Sequence, residues 1–224
     1  MTTTTNQLFT LTLAALLFSC QEKPAKHPPQ PTNKTSSESA TTSHRPGFDT
    51  SKALQEKTLL DYIVTAKTIK PNIQNGIPFN KLDYDKIIAY DFEGCEEPYP
   101  AVIDAKGRFV PVITAQAALT QPQADKILST LTKKSTYGAG TAACFAPHFA
   151  LVFFRNNHNI NQINICLDCN YLTSGIDIPA ETHKKINKGT EDEYVLNGFT
   201  ASGKNAIVSL CKELNFYYGR RKKE

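Results

Sequence analysis

The chain has no apolar run long enough to cross a membrane, no internal repeat, and no Ser/His/Asp ordering or carboxylate pair suited to catalysis. Its longest apolar stretch, Leu8 to Phe18, is 11 residues, whereas a spanning helix needs about 20. A phosphate cradle is also missing. Tyr137-Gly138-Ala139-Gly140 is not followed by Lys-Ser/Thr and does not leave a clear strand, so it reads as a loop. A basic face is lacking too, although the formal charge is +4. Arg220, Arg221, Lys222 and Lys223 against Glu224 account for +3, residues 20–50 for +1, and residues 51–219 are neutral. That distribution argues against a nucleic-acid partner.

What is present begins at the N-terminus. An 11-residue apolar stretch fits the h-region of a signal peptide. Leu17-Phe18-Ser19-Cys20 follows it and resembles a lipobox, the motif cleaved before a cysteine that becomes lipidated. Phe18 is bulkier than the pattern, and Met1 to Gln7 carries no Lys or Arg. Residues 1–19 are therefore expected to be a lipoprotein signal peptide and Cys20 the acylated residue. Residues 20–50 are rich in Pro, Ser, Thr, Lys and His and have little apolar surface to bury, as expected of a disordered tether. The implied partner is a membrane, held through the lipid on Cys20. Gln21 after the cysteine favours the outer membrane of the cell envelope.

Residues 51–219 suit one globular domain, and residues 220–224 read as a solvated basic tail. Ser51 to Ile69 has helical spacing of Leu54, Leu59, Leu60, Ile63 and Ala66. Lys86 to Phe92 reads as a strand. Ala101 to Asp104 and Arg108 to Thr114 read as a hairpin turned at residues 105–107. Thr120 to Lys134 is the best helix, with Thr120 as cap and Pro122 in the first turn. Phe149 to Arg155 and Ile160 to Leu167 read as a second hairpin. Ser202 to Leu214 closes the domain as a helix with Cys211 on its apolar side. The order predicts an α+β fold with a mainly antiparallel sheet and about three helices.

Chemistry concentrates on the second hairpin. Cys144-Phe145-Ala146-Pro147-His148 enters its first strand and Ile165-Cys166-Leu167-Asp168-Cys169 ends its second. Antiparallel pairing brings these ends together. A two-residue turn at Asn156-Asn157 sets Cys144 opposite Cys169. A turn centred on His158 instead pairs Phe149, Leu151 and Phe153 with Ile163, Ile165 and Leu167, and puts His148 on one face with Cys166. Both registers remain open. Three uses compete: a Cys144–Cys169 disulfide, expected in an oxidising compartment; a metal held by Cys144, His148, Cys166 and Cys169; and a thiol–disulfide redox site, against which no helix follows the Cys-x-x-Cys. Five cysteines follow Cys20, so one stays unpaired within a chain. Cys95 lies in an acidic turn whose Asp91, Glu93, Glu96 and Glu97 read as a solvated loop rather than a cation site. His158 reads as a turn residue and His183 as a helix-surface one.

Cys144-Phe145-x-Pro147, then Ala150-Leu151-Val152-Phe153-Phe154, then Ile163-x-Ile165-Cys166-x-x-Cys169 resembles a group of Bacteroidetes lipoproteins with no established activity. The likeness runs from about Tyr90 to Leu214 and includes Val102-Ile103-Asp104-x-x-Gly107. It implies export and a single domain and supplies no mechanism. The group carries a His where this chain has Phe149, which weakens a metal role. The expectation is a lipid-anchored envelope domain that binds a protein or small molecule or serves structurally, with no cofactor. The alternative is a metal- or thiol-dependent envelope enzyme using the Cys144, His148, Cys166 and Cys169 cluster.

Overall fold

A computed structural model describes residues 49–221. The expectations for residues 1–19, for Cys20 and for nearly all of the tether lie outside them, as do residues 222–224.

Helix α1 spans Glu56–Thr65 and strand β1 Lys86–Phe92. Strand β2 is Ile113–Ala118, helix α2 Gln121–Leu131 and strand β3 Tyr137–Ala139. The hairpin strands β4 and β5 are Phe149–Arg155 and His158–Cys166, and β6 is Tyr171–Ser174. Two-residue strands β7 (Lys185–Ile186), β8 (Tyr194–Val195) and β9 (Gly198–Phe199) precede helix α3 at Ala201–Glu213 and a last turn, α4, at Tyr217–Arg220.

The main sheet has five strands in the order β2-β1-β4-β5-β6, and every neighbouring pair is antiparallel. The fold is α+β. Both faces of the sheet are covered. Ile87, Ala89, Phe149, Leu151, Phe153, Ile163 and Ile165 pack under α2 and α3. Ile88, Tyr90, Phe92, Ala150, Val152 and Phe154 pack against α1 and residues 102–113. Burial on both sides explains why β1 and β4 read as unbroken apolar runs rather than alternating ones. Each large side chain so buried contributes about 1.5–3 kcal/mol.

Strand β5 departs from that pattern for a reason. Its inward Asn164 Oδ1 accepts the Val102 N–H at 2.9 Å. Gln162 accepts from the Ile103 N–H at 3.1 Å and donates to the Ile103 carbonyl at 2.9 Å. One buried and one half-buried amide side chain therefore supply hydrogen bonds to a segment that pairs with no strand of the sheet.

Three expected elements differ. The first helix is shorter than residues 51–69. Leu54 N–H is already committed to the Ile113 carbonyl at 2.7 Å, and Ala66 is extended as the chain runs toward Pro71. The turn at 105–107 forms, with Gly107 at φ 77°, but its arms share one bridge, Ile103 to Phe109. Pro111 interrupts the expected second arm, and the strand starts at Ile113 instead. Residues 137–139, read as loop, form β3 and pair with β9. Helix α2 agrees with expectation: Gln123 accepts the Thr120 N–H at 3.0 Å, closing the first turn as a capping box. Helix α3 is capped by Thr200, whose side chain accepts the Gly203 N–H.

Candidate functional site

The β4–β5 hairpin turns at Asn156 and Asn157, both at positive φ (50° and 65°), as a two-residue turn requires. Arg155 faces His158 across it. A bulge at Phe153/Phe154 then shifts the register by one, so Phe149 pairs with Ile165 and Leu151 with Ile163. Neither expected register survives the bulge whole.

Three sulfurs gather where β5 ends. Cys166 is the last residue of β5, and Cys169 follows a tight turn of two residues. These two form the disulfide, with Cα atoms 5.3 Å apart. The expected Cys144–Cys169 pair is corrected accordingly: Cys144 is a free, exposed thiol. Its sulfur nevertheless lies 2.8 Å from Cys169 Sγ. Two backbone donors face the bonded sulfurs: Ala146 N–H reaches Cys169 Sγ at 3.4 Å, and Cys169 N–H reaches Cys166 Sγ at 3.0 Å.

The loop carrying Cys144 is fixed on both sides. Ala142 N–H donates to the Cys169 carbonyl at 2.9 Å. Phe145 is buried against Cys166 and Cys169 and packs on Tyr171, ring centroids 4.8 Å apart. Gly94 N–H donates to the Pro147 carbonyl at 2.9 Å. A Cβ on Gly94 would come within 2.2 Å of that oxygen, so only glycine admits this approach.

His148 belongs to a different neighbourhood. Its Nδ1 lies 3.2 Å from the Phe92 carbonyl and 3.5 Å from Glu93, and its ring stacks on Tyr217 at 4.2 Å. Among the described residues no group of three or more His, Cys, Asp or Glu side chains is placed to hold a metal ion. The Cys144/His148/Cys166/Cys169 ligand set of the alternative reading is not assembled.

The other candidates fall out as follows. Cys211 is core, with no exposure, and burial pushes its thiol well above the ordinary range. Cys95 is half-buried and donates to the Glu97 carbonyl at 3.2 Å. His158 is exposed beside the turn, and His183 sits in an irregular segment rather than on a helix, with Nδ1 2.8 Å from the Ala180 carbonyl.

Asp91 is not part of a solvated acidic loop. It is buried in β1, accepts the Tyr217 N–H on both oxygens at 3.0 and 3.1 Å, and pairs with Arg220 at 2.9 Å. Arg221 pairs with Asp168, between the two bonded cysteines, at 2.5 Å. Tyr218 Oη accepts the Leu167 N–H at 3.0 Å. Arg220 and Arg221, expected in a frayed tail, are part of the fold: Arg220 holds Asp91 in β1, while Arg221 and Tyr218 clasp the Cys166–Cys169 turn.

One group escaped sequence reasoning. Glu181 borders a cleft of about 590 Å³ with Leu172, Ile176, Asp177, Ile178 and Pro179. Burial, followed by the charge of Asp177, pushes its carboxyl up to about 7 against the opposing Asn197 hydrogen bond. Its only sequence signal is the apolar Ile-x-Ile-Pro-Ala that precedes it. A second cleft, of about 450 Å³, lies where α1 ends and α2 begins, lined by Tyr62, Ala66, Ile69, Ala118 and Leu119. No helix among the described residues is long and apolar enough to cross a membrane. No protein-family profile, curated protein or solved structure matches the chain.

Proposed function

We propose that this chain is a lipid-anchored protein of the bacterial cell envelope, acylated on Cys20, tethered by residues 20–50 and working through a folded domain that binds a ligand or serves structurally. The observation that carries the reading is the order in the sequence: an 11-residue apolar stretch, Leu17-Phe18-Ser19-Cys20, then about 30 residues poor in apolar side chains. The resemblance to Bacteroidetes lipoproteins supports the same compartment, and Gln21 favours the outer membrane. The two clefts, at about 450 and 590 Å³, fall in the size range of small-molecule sites and support a binding role. A protein or small-molecule partner suits the neutral charge of residues 51–219 better than a nucleic acid does.

The test is the mass of the N-terminal peptide after expression in a bacterium that processes lipoproteins. The expected product begins at Cys20 and carries two or three acyl chains, enough for stable anchoring. Cys20→Ser should leave the precursor uncleaved. Wild-type protein that begins at Met1 and enters the aqueous phase of a detergent partition overturns the reading.

A further inference from the structure

The Cys166–Cys169 disulfide is shielded: the two residues are 0 % and 1 % exposed, behind Phe145 and Tyr171. Thiol–disulfide exchange requires a sulfur nucleophile to touch a bonded sulfur, and burial denies that contact to an external thiol. Cys144 has the contact already, at 2.8 Å from Cys169 Sγ, and it is exposed. The residues before it, Thr141, Ala142 and Ala143, are exposed and small, which leaves its sulfur open to a partner.

We propose that Cys144, Cys169 and Cys166 form a thiol–disulfide exchange site in which Cys144 is the sulfur through which a dithiol partner reaches the buried disulfide. In the first step Cys144 gives its proton to water and its thiolate attacks Cys169 Sγ. The Cys144–Cys169 bond forms, the Cys166–Cys169 bond breaks, and the electron pair leaves on Cys166, which takes up a proton. One disulfide replaces another with no net oxidation. The Cys169 N–H, 3.0 Å from Cys166 Sγ, stabilises the thiolate that leaves.

In the second step a thiolate of the dithiol attacks the exposed Cys144 sulfur. A mixed disulfide forms and Cys169 departs as a thiolate, facing the Ala146 N–H. The partner's second thiolate then attacks its own sulfur in the mixed disulfide and releases Cys144. The dithiol ends as a disulfide, oxidised by two electrons, and the protein holds three thiols in place of one thiol and one disulfide. The site is held for this by the fixed loop: the Ala142 to Cys169 backbone bond and buried Phe145 bracket Cys144, so the attacking sulfur is positioned rather than searching. The proposal does not depend on the lipid anchor.

The experiment uses the full-length oxidised chain and dithiothreitol, with acid quenching, alkylation and peptide mapping over time. Cys144→Ser, an exposed substitution whose folding is checked by circular dichroism, should lose the Cys166–Cys169 linkage about tenfold or more slowly than wild type. Cys95→Ser should react at the wild-type rate. Cys166→Ser should yield a Cys144–Cys169 disulfide on oxidation. Reduction of Cys144→Ser at the wild-type rate overturns the proposal, as does equal slowing in Cys95→Ser or wild-type protein purified with all three thiols free.

Discussion

Asp91 and Arg220, 129 residues apart in sequence, meet at 2.9 Å. The carboxylate is almost wholly buried and the guanidinium about half exposed, so the last helical turn is joined to the second strand from the sheet edge through one charged group. Asp91 also accepts the Tyr217 N–H, which ends the backbone of the preceding loop in a charge-assisted bond.

Replacing Asp91 by Ala should cost about 2–3 kcal/mol, because it strands the half-buried Tyr217 N–H and unpairs Arg220. Asp91→Asn keeps an acceptor for Tyr217 and should cost less. Burial raises the Asp91 carboxyl, with the Tyr217 hydrogen bond and Arg220 opposing. The native state therefore holds its proton more tightly than the unfolded chain, and this group's contribution is full below the ordinary carboxylate range and falls as pH rises through the native value. The gap between wild type and Asp91→Asn should shift with pH accordingly. Urea unfolding midpoints at several pH values measure both effects.

Glu181 carries a second pH effect of the same sign. Its carboxyl ionises near 7 in the fold against 4.5 for the ordinary group. The native state binds the extra proton between those values, so stability from this group is present below 4.5 and is lost as pH climbs through about 7. Glu181→Gln should flatten the melting temperature across that range and raise it above wild type at pH near 8. Thermal melts from acid to mildly alkaline buffer check the sign. A wild-type melting temperature that rises through this window would sink the assignment.

Asn164→Ala should cost about 1–3 kcal/mol by leaving the Val102 N–H buried and unpaired. Asn164→Leu restores volume but no acceptor and should not rescue. Hydrogen exchange should show the loss first at Val102 and Ile103, whose N–H groups both rest on β5 side chains.

Gly94→Ala drives a Cβ into the Pro147 carbonyl and should destabilise by about 1–3 kcal/mol, as overpacked sites do. Because Pro147 belongs to the loop that carries Cys144, the variant should also alkylate Cys144 faster with iodoacetamide. Measuring both in one preparation separates a local shift from global unfolding.

The sequence made the central strands legible because apolar runs such as Ile87-Ile88-Ala89-Tyr90 and Phe149 to Phe154 have no other use in a chain with so many charges elsewhere. Helix α2 was legible from its cap Thr120 and the Pro122 of its first turn, and α3 from the apolar side that carries Cys211, while its cap Thr200 went unread. The cysteine pairing was not legible. It is closed inside the four-residue turn Cys166-Leu167-Asp168-Cys169, whose bend the residue types alone do not announce, whereas strand pairing pointed to Cys144. Asp91 misled for a related reason. Its neighbours Glu93, Glu96 and Glu97 suggest solvent, whereas its place between Tyr90 and Phe92 in a strand buried on both faces demands a partner, and that partner lies at the far end of the described chain.

The Leu54 to Ile113 hydrogen bond has a mechanical consequence. A pull applied from the N-terminal side enters the sheet at this bond and then at α1, where only Leu59 and Ile63 are fully buried. Such a load peels one helix from one face. The five antiparallel strands and the sulfurs at the end of β5 lie beyond that point of entry, so the domain can yield on its N-terminal side while its interior ladder stays intact.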